Sequence, residues 1–429
     1  MIKSKKFLTA ALSTSALIFT ISGAHAAGFY IQEQSVKGLG TAFAGSTTSI
    51  DDASTIYFNP AGMTKLDPRI QGNLGVHLLL PDANIDDTGT SSSLAGVTIG
   101  GDPGNPYDPS PVPNAFLAAP VDVYGNQLWL GVGVTAPFGL ASEYDVDDFN
   151  AFDSTDTELM TINLGPAVAY EINDQLSIGG GVDIQYVDAK LEGLVDTGVL
   201  GLGTGISKLE GDDVSFGYNL GLQFRPRTDT EIGLHYRSQV KHELDGSISL
   251  SGLAAGNFDE AGTADLDLPN IATLGVAHDI NDRFRVMGQV TWFGWSSFDE
   301  IDGVTDSGAN DPDPVVQDYD NTYAFAVGAE YDLKPDLTLR AGYQFDQTPT
   351  NDEFRTTRTP DGDRNWFSAG ATYALNENLS FDFAATYIHI ADEEINLQRN
   401  AVGGINRVNV LGDTEGSVGI VAAAINYKF

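Results

Sequence analysis

The last residues of the chain, Glu415 to Phe429, alternate between two kinds of side chain. Apolar and aromatic groups, ending in Ile425, Tyr427 and Phe429, fall on one side of an extended chain, and polar groups such as Asn426 and Lys428 fall on the other. Successive side chains of a strand point to opposite faces, so this pattern predicts a β-strand with one apolar face. Such a strand suits lipid on one side and a polar lumen on the other, although soluble sandwiches contain similar strands.

Alternating segments of about ten residues recur from Ile70 to the C-terminus, a spacing typical of membrane barrels. Six short polar turns separate them, which implies seven hairpin-like pairs and about fourteen strands. The turns are Gly125–Gln127, Asn173–Gln175, Arg227–Asp229, Asn281–Arg283, Lys334–Asp336 and Asn376–Asn378. We expect seven long extracellular connections near residues 82–113, 138–158, 190–212, 246–264, 298–320, 348–363 and 393–413.

The predicted fold is therefore all-β, a transmembrane antiparallel β-barrel built by residues 70–429. An even number of strands closes such a barrel without leaving an unpaired edge in lipid. Residues 27–69 do not alternate, but they contain too many apolar side chains for a solvated tail, among them Phe29, Ile31, Leu39, Phe43 and Tyr57. We predict that this segment enters the lumen as a hatch.

Residues 1–26 have the layout of a cleavable secretory signal. Lys3, Lys5 and Lys6 precede an apolar run, and small residues end it at Ala26. No later stretch approaches the roughly 20 apolar residues of a membrane-spanning helix. The chain contains no Cys, which excludes a lipoprotein, a disulfide framework and thiolate chemistry. These features predict export to the bacterial outer membrane.

The formal net charge is −37, and removal of the three signal lysines makes it −40. This charge argues against nucleic acid as a partner and against the gathering of anions by bulk attraction. Solubility of exposed loops accounts for most of it, although Asp311, Asp313, Asp318 and Asp320 form a cluster that could hold divalent ions. We expect no cofactor and no metal site.

Period-two counting turns several basic side chains toward the lumen. From Glu231 to Leu244 it places Val240 and His242 on the lipid side, and it places Arg237, Lys241 and Glu243 inside. The same counting places Arg285 and Arg340 inside. These residues either neutralise lumenal acids such as Asp183, Glu330 and Asp382 or meet the carboxylate of a ligand. Both interpretations stay open.

Two of the expected outer connections are unusually apolar. Residues 190–212 include Leu194, Leu200 and Leu202, and residues 246–264 include Leu253 and Phe258. An exposed apolar surface of this kind is typical of a binding site, but the two connections could also pack on each other over the barrel mouth.

The N-terminal segment resembles the FadL family of outer-membrane transporters for long-chain fatty acids and other hydrophobic compounds. The resemblance rests on Gly28-Phe29, on GLGTAFAG at 38–45, on DDAST at 51–55 and on NPAGM at 59–63. It implies a hatch that plugs a fourteen-stranded barrel, with Asn59, Pro60 and Ala61 as its motif. It also implies that the first hatch residues help to form an internal ligand site, which includes Phe29 in our prediction, and that two apolar loops capture ligand outside. Release is then lateral, through a gap at an inward-kinked strand.

We therefore expect passive outer-membrane transport of hydrophobic molecules, above all long-chain fatty acids, by a monomer embedded in outer-membrane lipid. Aromatic or aliphatic hydrocarbons could follow the same route. A nonspecific porin would need an unobstructed polar lumen, which the apolar N-terminal segment opposes. A phospholipase would need adjacent Ser and His side chains on the lipid face, and the sequence offers no evident nucleophile near His242.

Overall fold

Alternation of buried and exposed side chains runs through the wall strands of the structure. The computed structural model describes residues 28–92, 100–196, 204–252, 257–308, 311–312, 314–400 and 407–429. In strand β1 (Gln71–Asp87), Leu74, Val76, Leu78 and Leu80 are exposed while the residues between them are buried. The outward face is apolar because lipid covers it, and the inward face packs on the lumen.

The described strands form one closed antiparallel sheet and one small two-stranded sheet. After β1 they are β2 (Ser91–Ser92), β3 (Ser110–Val123), β4 (Asn126–Thr135), β5 (Gly139–Glu143), β6 (Asp156–Asn173), β7 (Leu176–Asp196), β8 (Thr204–Arg227), β9 (Thr230–Arg237), β10 (Val240–Ser251), β11 (Phe258–Leu268), β12 (Ile271–Asn281), β13 (Phe284–Phe293), β14 (Glu300–Ile301), β15 (Gly303–Thr305), β16 (Val315–Val316), β17 (Thr322–Lys334), β18 (Leu337–Asp346), β19 (Arg364–Ala374), β20 (Leu379–Asn400) and β21 (Arg407–Lys428).

Closure occurs where β1 pairs with both β3 and β21, with Gln71 opposite Lys428. Fourteen strands make the wall of the described barrel, as predicted, and three of them consist of two segments: β4 with β5, β9 with β10, and β11 with β12. No helix in the described part of the chain is long and apolar enough to cross a membrane.

All six short turns lie where the sequence predicts them, each between two paired strands. Three of the long connections differ from the prediction. Most of 190–212, 246–264 and 393–413 is paired strand, because β7 with β8, β10 with β11, and β20 with β21 continue as hairpins beyond the lipid. Outward positions there face water and carry polar side chains, so the apolar alternation that marks a wall strand is lost.

The N-terminal segment, residues 28–69, lies inside the ring of strands. It contains α1 (Val36–Leu39), α2 (Thr55–Phe58) and a 3-10 helix (Pro60–Lys65). Its hydrogen bonds reach strands on all sides, including Gln34 to the Ala136 carbonyl, Ser46 to Gln289, Thr64 to Ser177, and Gln344 to Gln32. Between Gly28 and Met63 every residue except Asp51 is buried.

The wall bends inward between β4 and β5. Residues 136–138 leave the sheet there and contact the N-terminal segment: Ile31 N donates to Pro137 O at 2.7 Å, and Gly139 N donates to Phe29 O at 3.0 Å. On the neighbouring strand, β3 pairs with β4 only from Ala115 onward, so in the described sheet residues 110–114 pair with β1 alone. The wall is therefore incompletely hydrogen-bonded beside the bend.

A second break lies at Ser238 and Gln239, between β9 and β10, and it corrects the inside-outside prediction beyond it. The break shifts the alternation by one position, so Val240 and His242 are buried while Lys241 and Glu243 are exposed. His242 points inward to Asp213 and Gln185. The predicted lumenal placement of Lys241 is therefore wrong, because a strict period of two assumes an unbroken strand.

Candidate ligand-binding site

The first residues of the N-terminal segment bound an apolar inner cavity. Phe29 packs against Trp295 with ring centroids 4.8 Å apart, against Phe298 at 5.1 Å and against Phe138 at 6.1 Å. Gly28, which has a positive φ of 65°, donates its N–H to Asp361 Oδ2 at 2.9 Å. The apolar lining includes Phe29, Leu140, Leu159, Ala189, Leu244, Leu266 and Phe298.

The inner cavity has a volume of only ≈ 60 Å³. Ligand sites for small molecules usually enclose roughly 300–1,000 Å³. A long-chain ligand therefore enters only if a neighbouring group moves. Phe29 is the candidate, because among the lining residues it belongs to the N-terminal segment and the others belong to the wall or its loops.

A larger outer cavity of ≈ 950 Å³ lies among the extended hairpins. Leu194 near the end of β7 and Phe258 at the start of β11 both line it, and their role in ligand capture stays a prediction. Leu200, Leu202 and Leu253 lie outside the described residues. Further apolar lining comes from Phe152, Ile248, Leu250, Val315, Phe354, Leu397 and Val408.

The two cavities meet at a collar of four residues that line both of them: Leu191, Leu209, Ile301 and Arg358. Three are aliphatic and one is a cation. The outer cavity thus adjoins the inner cavity, which Phe29 lines, at a mostly apolar set of side chains. Such an arrangement suits an elongated apolar molecule.

The motif Asn59-Pro60-Ala61 docks the N-terminal segment on β7 and β8. Asn59 Nδ2 donates to the carbonyls of Thr47 at 2.9 Å and Leu222 at 3.1 Å, and its Oδ1 accepts from Ala61 N at 3.1 Å. Two wall glycines face the motif: a Cβ at Gly179 would lie 2.5 Å from Ala61 N, and one at Gly221 would overlap the Asn59 amide. The motif therefore fits a flat surface that only glycine provides.

The predicted lumenal arginines pair with acids. Arg237 contacts Asp183, donates to the Tyr57 carbonyl at 3.0 Å and lies 4.3 Å from the Tyr57 ring centroid. Arg340 Nε lies 2.5 Å from Glu330.

Arg285 Nε lies 2.6 Å from Asp279. Together with Arg237 and Arg340 it lines neither the inner nor the outer cavity. These contacts favour the neutralising interpretation, and their role in ligand binding stays a prediction. Lys241 pairs at the outer surface with Asp267 at 2.7 Å.

Comparisons with known proteins agree with this architecture. The family model described as outer membrane protein transport protein (OMPP1/FadL/TodX) matches residues 17–429. The chain belongs to this family.

Among FadL-family relatives, the long-chain fatty acid transport protein of Escherichia coli O6:H1 is 31% identical, over 89% of this chain and 91% of its own length. Outer membrane protein P1 of Haemophilus influenzae is 31% identical over 90% of each chain. A solved FadL homologue from Pseudomonas aeruginosa superposes with a TM-score of 0.85 at 25% identity, covering 94% of this chain and all of that one. The Ralstonia pickettii toluene transporter TbuX has a TM-score of 0.67 at 21% identity, over 91% and 97%.

Membership of the FadL family makes this protein an outer-membrane transporter of hydrophobic compounds rather than an enzyme. Two buried ionisable groups that sequence reasoning missed then stand out. Neither lies on a strand, so no alternation marks either of them.

Arg358 belongs to the connection between β18 and β19. Its Nη2 donates to the carbonyls of Asp153 at 2.6 Å and Glu192 at 3.0 Å, and its Nη1 donates to Thr157 Oγ1 at 2.9 Å, Ser154 Oγ at 3.2 Å and Asp156 O at 3.3 Å. Burial lowers the pKa of Arg358 to about 10. The only sequence signal was that this acidic protein concentrates Arg355, Arg358 and Arg364 in one short stretch.

Glu33 belongs to the N-terminal segment and is fully buried. Neither carboxylate oxygen meets a side-chain hydrogen-bond donor in the described part of the chain. Burial is the main cause that raises the pKa of Glu33 to about 7; its own backbone N–H and then the charge of Arg364 lower the pKa, and Asp346 raises it less strongly. A carboxylate is costly in such a site, so the neutral acid packs best.

Proposed function

We propose that this protein carries long-chain fatty acids passively across the outer membrane. The observation that supports this most is a pair of adjoining cavities, an outer one of mixed apolar and charged lining and an apolar inner one bounded by Phe29. A fatty acid needs such a lining for its tail, and a water-filled channel would not supply one.

In the proposed route the outer cavity captures ligand from the outside. The ligand then passes the collar and displaces Phe29 to occupy an enlarged inner cavity. Residues 27–69 act as the hatch of the barrel, following a signal at 1–26. The dense contacts between the hatch and the wall argue against a nonspecific porin, because they leave little room for bulk water.

Release is proposed to be lateral, beside the bend between β4 and β5. Two observations support this exit: residues 110–114 pair with β1 alone, and the bend contacts the hatch through Ile31 and Phe29. A movement of the hatch would therefore act directly on the incompletely bonded part of the wall. The tail of the ligand could then reach lipid without crossing water.

Hydrocarbon uptake by the same route is the second candidate. The mostly apolar lining of the inner cavity supports it, since an uncharged ligand requires no polar partner there. The toluene transporter TbuX shares the fold, although its likeness extends no further than that.

Uptake of labelled oleate and labelled toluene distinguishes the two candidates. Cells that lack their own fatty acid transporter are compared with and without this protein, at limiting ligand. Faster oleate uptake, with toluene uptake unchanged, is the expected result. Faster uptake of toluene alone would mean that hydrocarbons, and not fatty acids, are the substrates. No change in the uptake of either ligand would contradict the transport proposal.

A further inference from the structure

Among the lysines and arginines that are buried in the described part of the chain, Arg358 alone has no carboxylate partner. Lys37, Arg237, Arg340, Arg355 and Arg364 are buried, and each contacts an aspartate or glutamate. Arg358 is 9% exposed, and among the described side chains no carboxylate lies within 4.0 Å of its guanidinium. A buried guanidinium that meets only neutral oxygens has a charge that is incompletely balanced.

The nearest acid is already engaged elsewhere. Asp153 offers Arg358 only its backbone carbonyl, at 2.6 Å. Its side-chain Oδ1 accepts from Arg399 Nε at 2.8 Å, and its Oδ2 accepts from Thr357 N and Oγ1 at 2.7 Å. The carboxylate of Asp153 is thus directed away from Arg358. The two Nη atoms of Arg358 already donate to five neutral oxygens, so a ligand carboxylate would replace some of these neutral acceptors with a charged one.

Arg358 lies where its charge can act on a ligand that moves between the two cavities. It lies in the collar with Leu191, Leu209 and Ile301, so a ligand moving from the outer to the inner cavity passes its guanidinium. The remaining collar side chains are aliphatic and offer no competing polar group. In such surroundings a charge-assisted hydrogen bond to a carboxylate is stronger than in water.

We propose that Arg358 recognises the carboxylate head of the ligand at the collar and thereby selects long-chain fatty acids over uncharged molecules of equal length. This inference rests on the proposed transport function and adds the residue that determines its specificity. The tail then extends along the apolar lining toward Phe29, while the head stays at the collar until the inner cavity opens.

The test measures binding of oleate and of methyl oleate to purified protein in lipid nanodiscs. The two ligands have the same acyl chain, and only oleate carries a charge. We expect Arg358→Met to weaken oleate binding by about 10- to 100-fold, which is the range for a lost charge-assisted hydrogen bond, and to leave methyl oleate within about 3-fold. Arg358→Lys keeps the charge, so its oleate affinity should lie between those of the wild type and Arg358→Met.

Arg355→Met is the matched control. Arg355 belongs to the same connection, is 2% exposed and donates to the carbonyls of Asp361 at 3.0 Å and Glu394 at 2.9 Å, but it pairs with Asp352 and Glu393 and lines neither cavity. It should keep the wild-type preference for oleate. Heat-modifiable electrophoretic mobility reports whether each variant retains the barrel.

Several results would overturn the assignment. Equal losses for oleate and methyl oleate in Arg358→Met would make Arg358 a purely structural residue, as would no loss for either. If Arg358→Met does not fold, Arg358→Lys decides: an oleate affinity equal to that of the wild type would mean that the guanidinium does not bind the head group. Wild-type protein that binds neither ligand would refute the proposed fatty acid transport itself, and the head-group assignment with it.

Discussion

At the scale of single residues, the docking of the N-terminal segment depends on wall positions that have no side chain. Gly179 is the sharpest case, because a Cβ there would lie 2.5 Å from Ala61 N and 2.7 Å from Pro60 C, both backbone atoms that cannot rotate away. We predict that Gly179→Ala destabilises the docked segment by on the order of 1–3 kcal/mol, the usual cost of overpacking. Hydrogen exchange of residues 55–65 should then be faster than in the wild type.

Gly419→Ala is the control for this substitution. A Cβ at Gly419 would lie 3.9 Å from Leu80 Cβ, an ordinary contact on another part of the wall. It should leave exchange of the N-terminal segment unchanged. Equal exchange rates in Gly179→Ala and wild type would mean that the motif does not press on β7 in solution.

Contacts of single residues also show which features could not be predicted from the sequence alone. Period two correctly turns Arg237 and Arg340 inward, because each lies on an unbroken stretch of strand. It could not identify Asp183 as the partner of Arg237, since that contact depends on how β8 lies between β7 and β9. Arg358 lies in a connection without periodicity, so its burial became visible only in three dimensions.

At the scale of elements, the extended hairpins form the walls of the outer cavity. Leu194 and Phe258 line it from β7 and β11. We predict that Leu194→Asp combined with Phe258→Asp slows oleate uptake several-fold at limiting ligand, because a charge disfavours apolar ligand on that surface. Val304→Asp adds a charge on β15 at an exposed side chain that does not line the cavity, so it is the matched control. An equal effect of all three substitutions would point to bulk charge rather than to capture.

Glu33 makes the stability of the N-terminal segment depend on pH. Its folded pKa of about 7 lies above the ordinary glutamate value of 4.5, so the folded protein retains a proton that the unfolded segment releases. The resulting destabilisation is absent below pH 4.5, grows as pH rises and is complete above about pH 7, where it is on the order of 3 kcal/mol. Exchange of residues 28–50 should therefore accelerate between pH 5 and pH 8, after correction for intrinsic rates.

Glu33→Gln keeps the shape of the side chain and removes its titration. The variant should show a flatter pH dependence and the greater protection at pH 8. Parallel pH profiles for Glu33→Gln and wild type would assign the effect to groups other than Glu33.

At the scale of elements, the sequence correctly predicted the turns and the number of strands. It wrongly predicted which side chains face inward after the break between β9 and β10. The polar turns contrast with the apolar strands around them, so they are visible in the sequence. The break at Ser238 and Gln239 brings Val240 inward, where its Cγ2 would be 2.9 Å from a Cβ on Gly217. Such a contact between neighbouring strands leaves no periodic signal in either of them.

At the scale of the whole molecule, the protein combines a regular wall of strands with an irregular N-terminal segment. The local sequence pattern predicts the wall much better than the segment. The wall is periodic, so its architecture follows from alternation and the need to leave no edge in lipid. The N-terminal segment has little regular structure, and its place rests on single contacts with many strands, such as those of Gln32, Ser46 and Asn59. From the sequence, its apolar content and its resemblance to a family indicated that place, but neither indicated the individual contacts.

Because the N-terminal segment fills the lumen without pairing into the wall along its length, its removal should open the barrel without unfolding it. We predict that deleting residues 27–57 gives a barrel with normal heat-modifiable mobility and a much larger single-channel conductance in planar bilayers. The physical reason is that the wall strands, from Gln71 onward, keep their ladder of hydrogen bonds while water and ions replace the buried segment. Asn59→Ala removes one hydrogen bond to the wall, at Leu222 O, and two within the segment, so it should give brief openings rather than a permanent one. A wild-type conductance already at the level of a general porin would contradict the plug, whereas a deletion variant that stays closed would place the barrier in the wall or the outer hairpins.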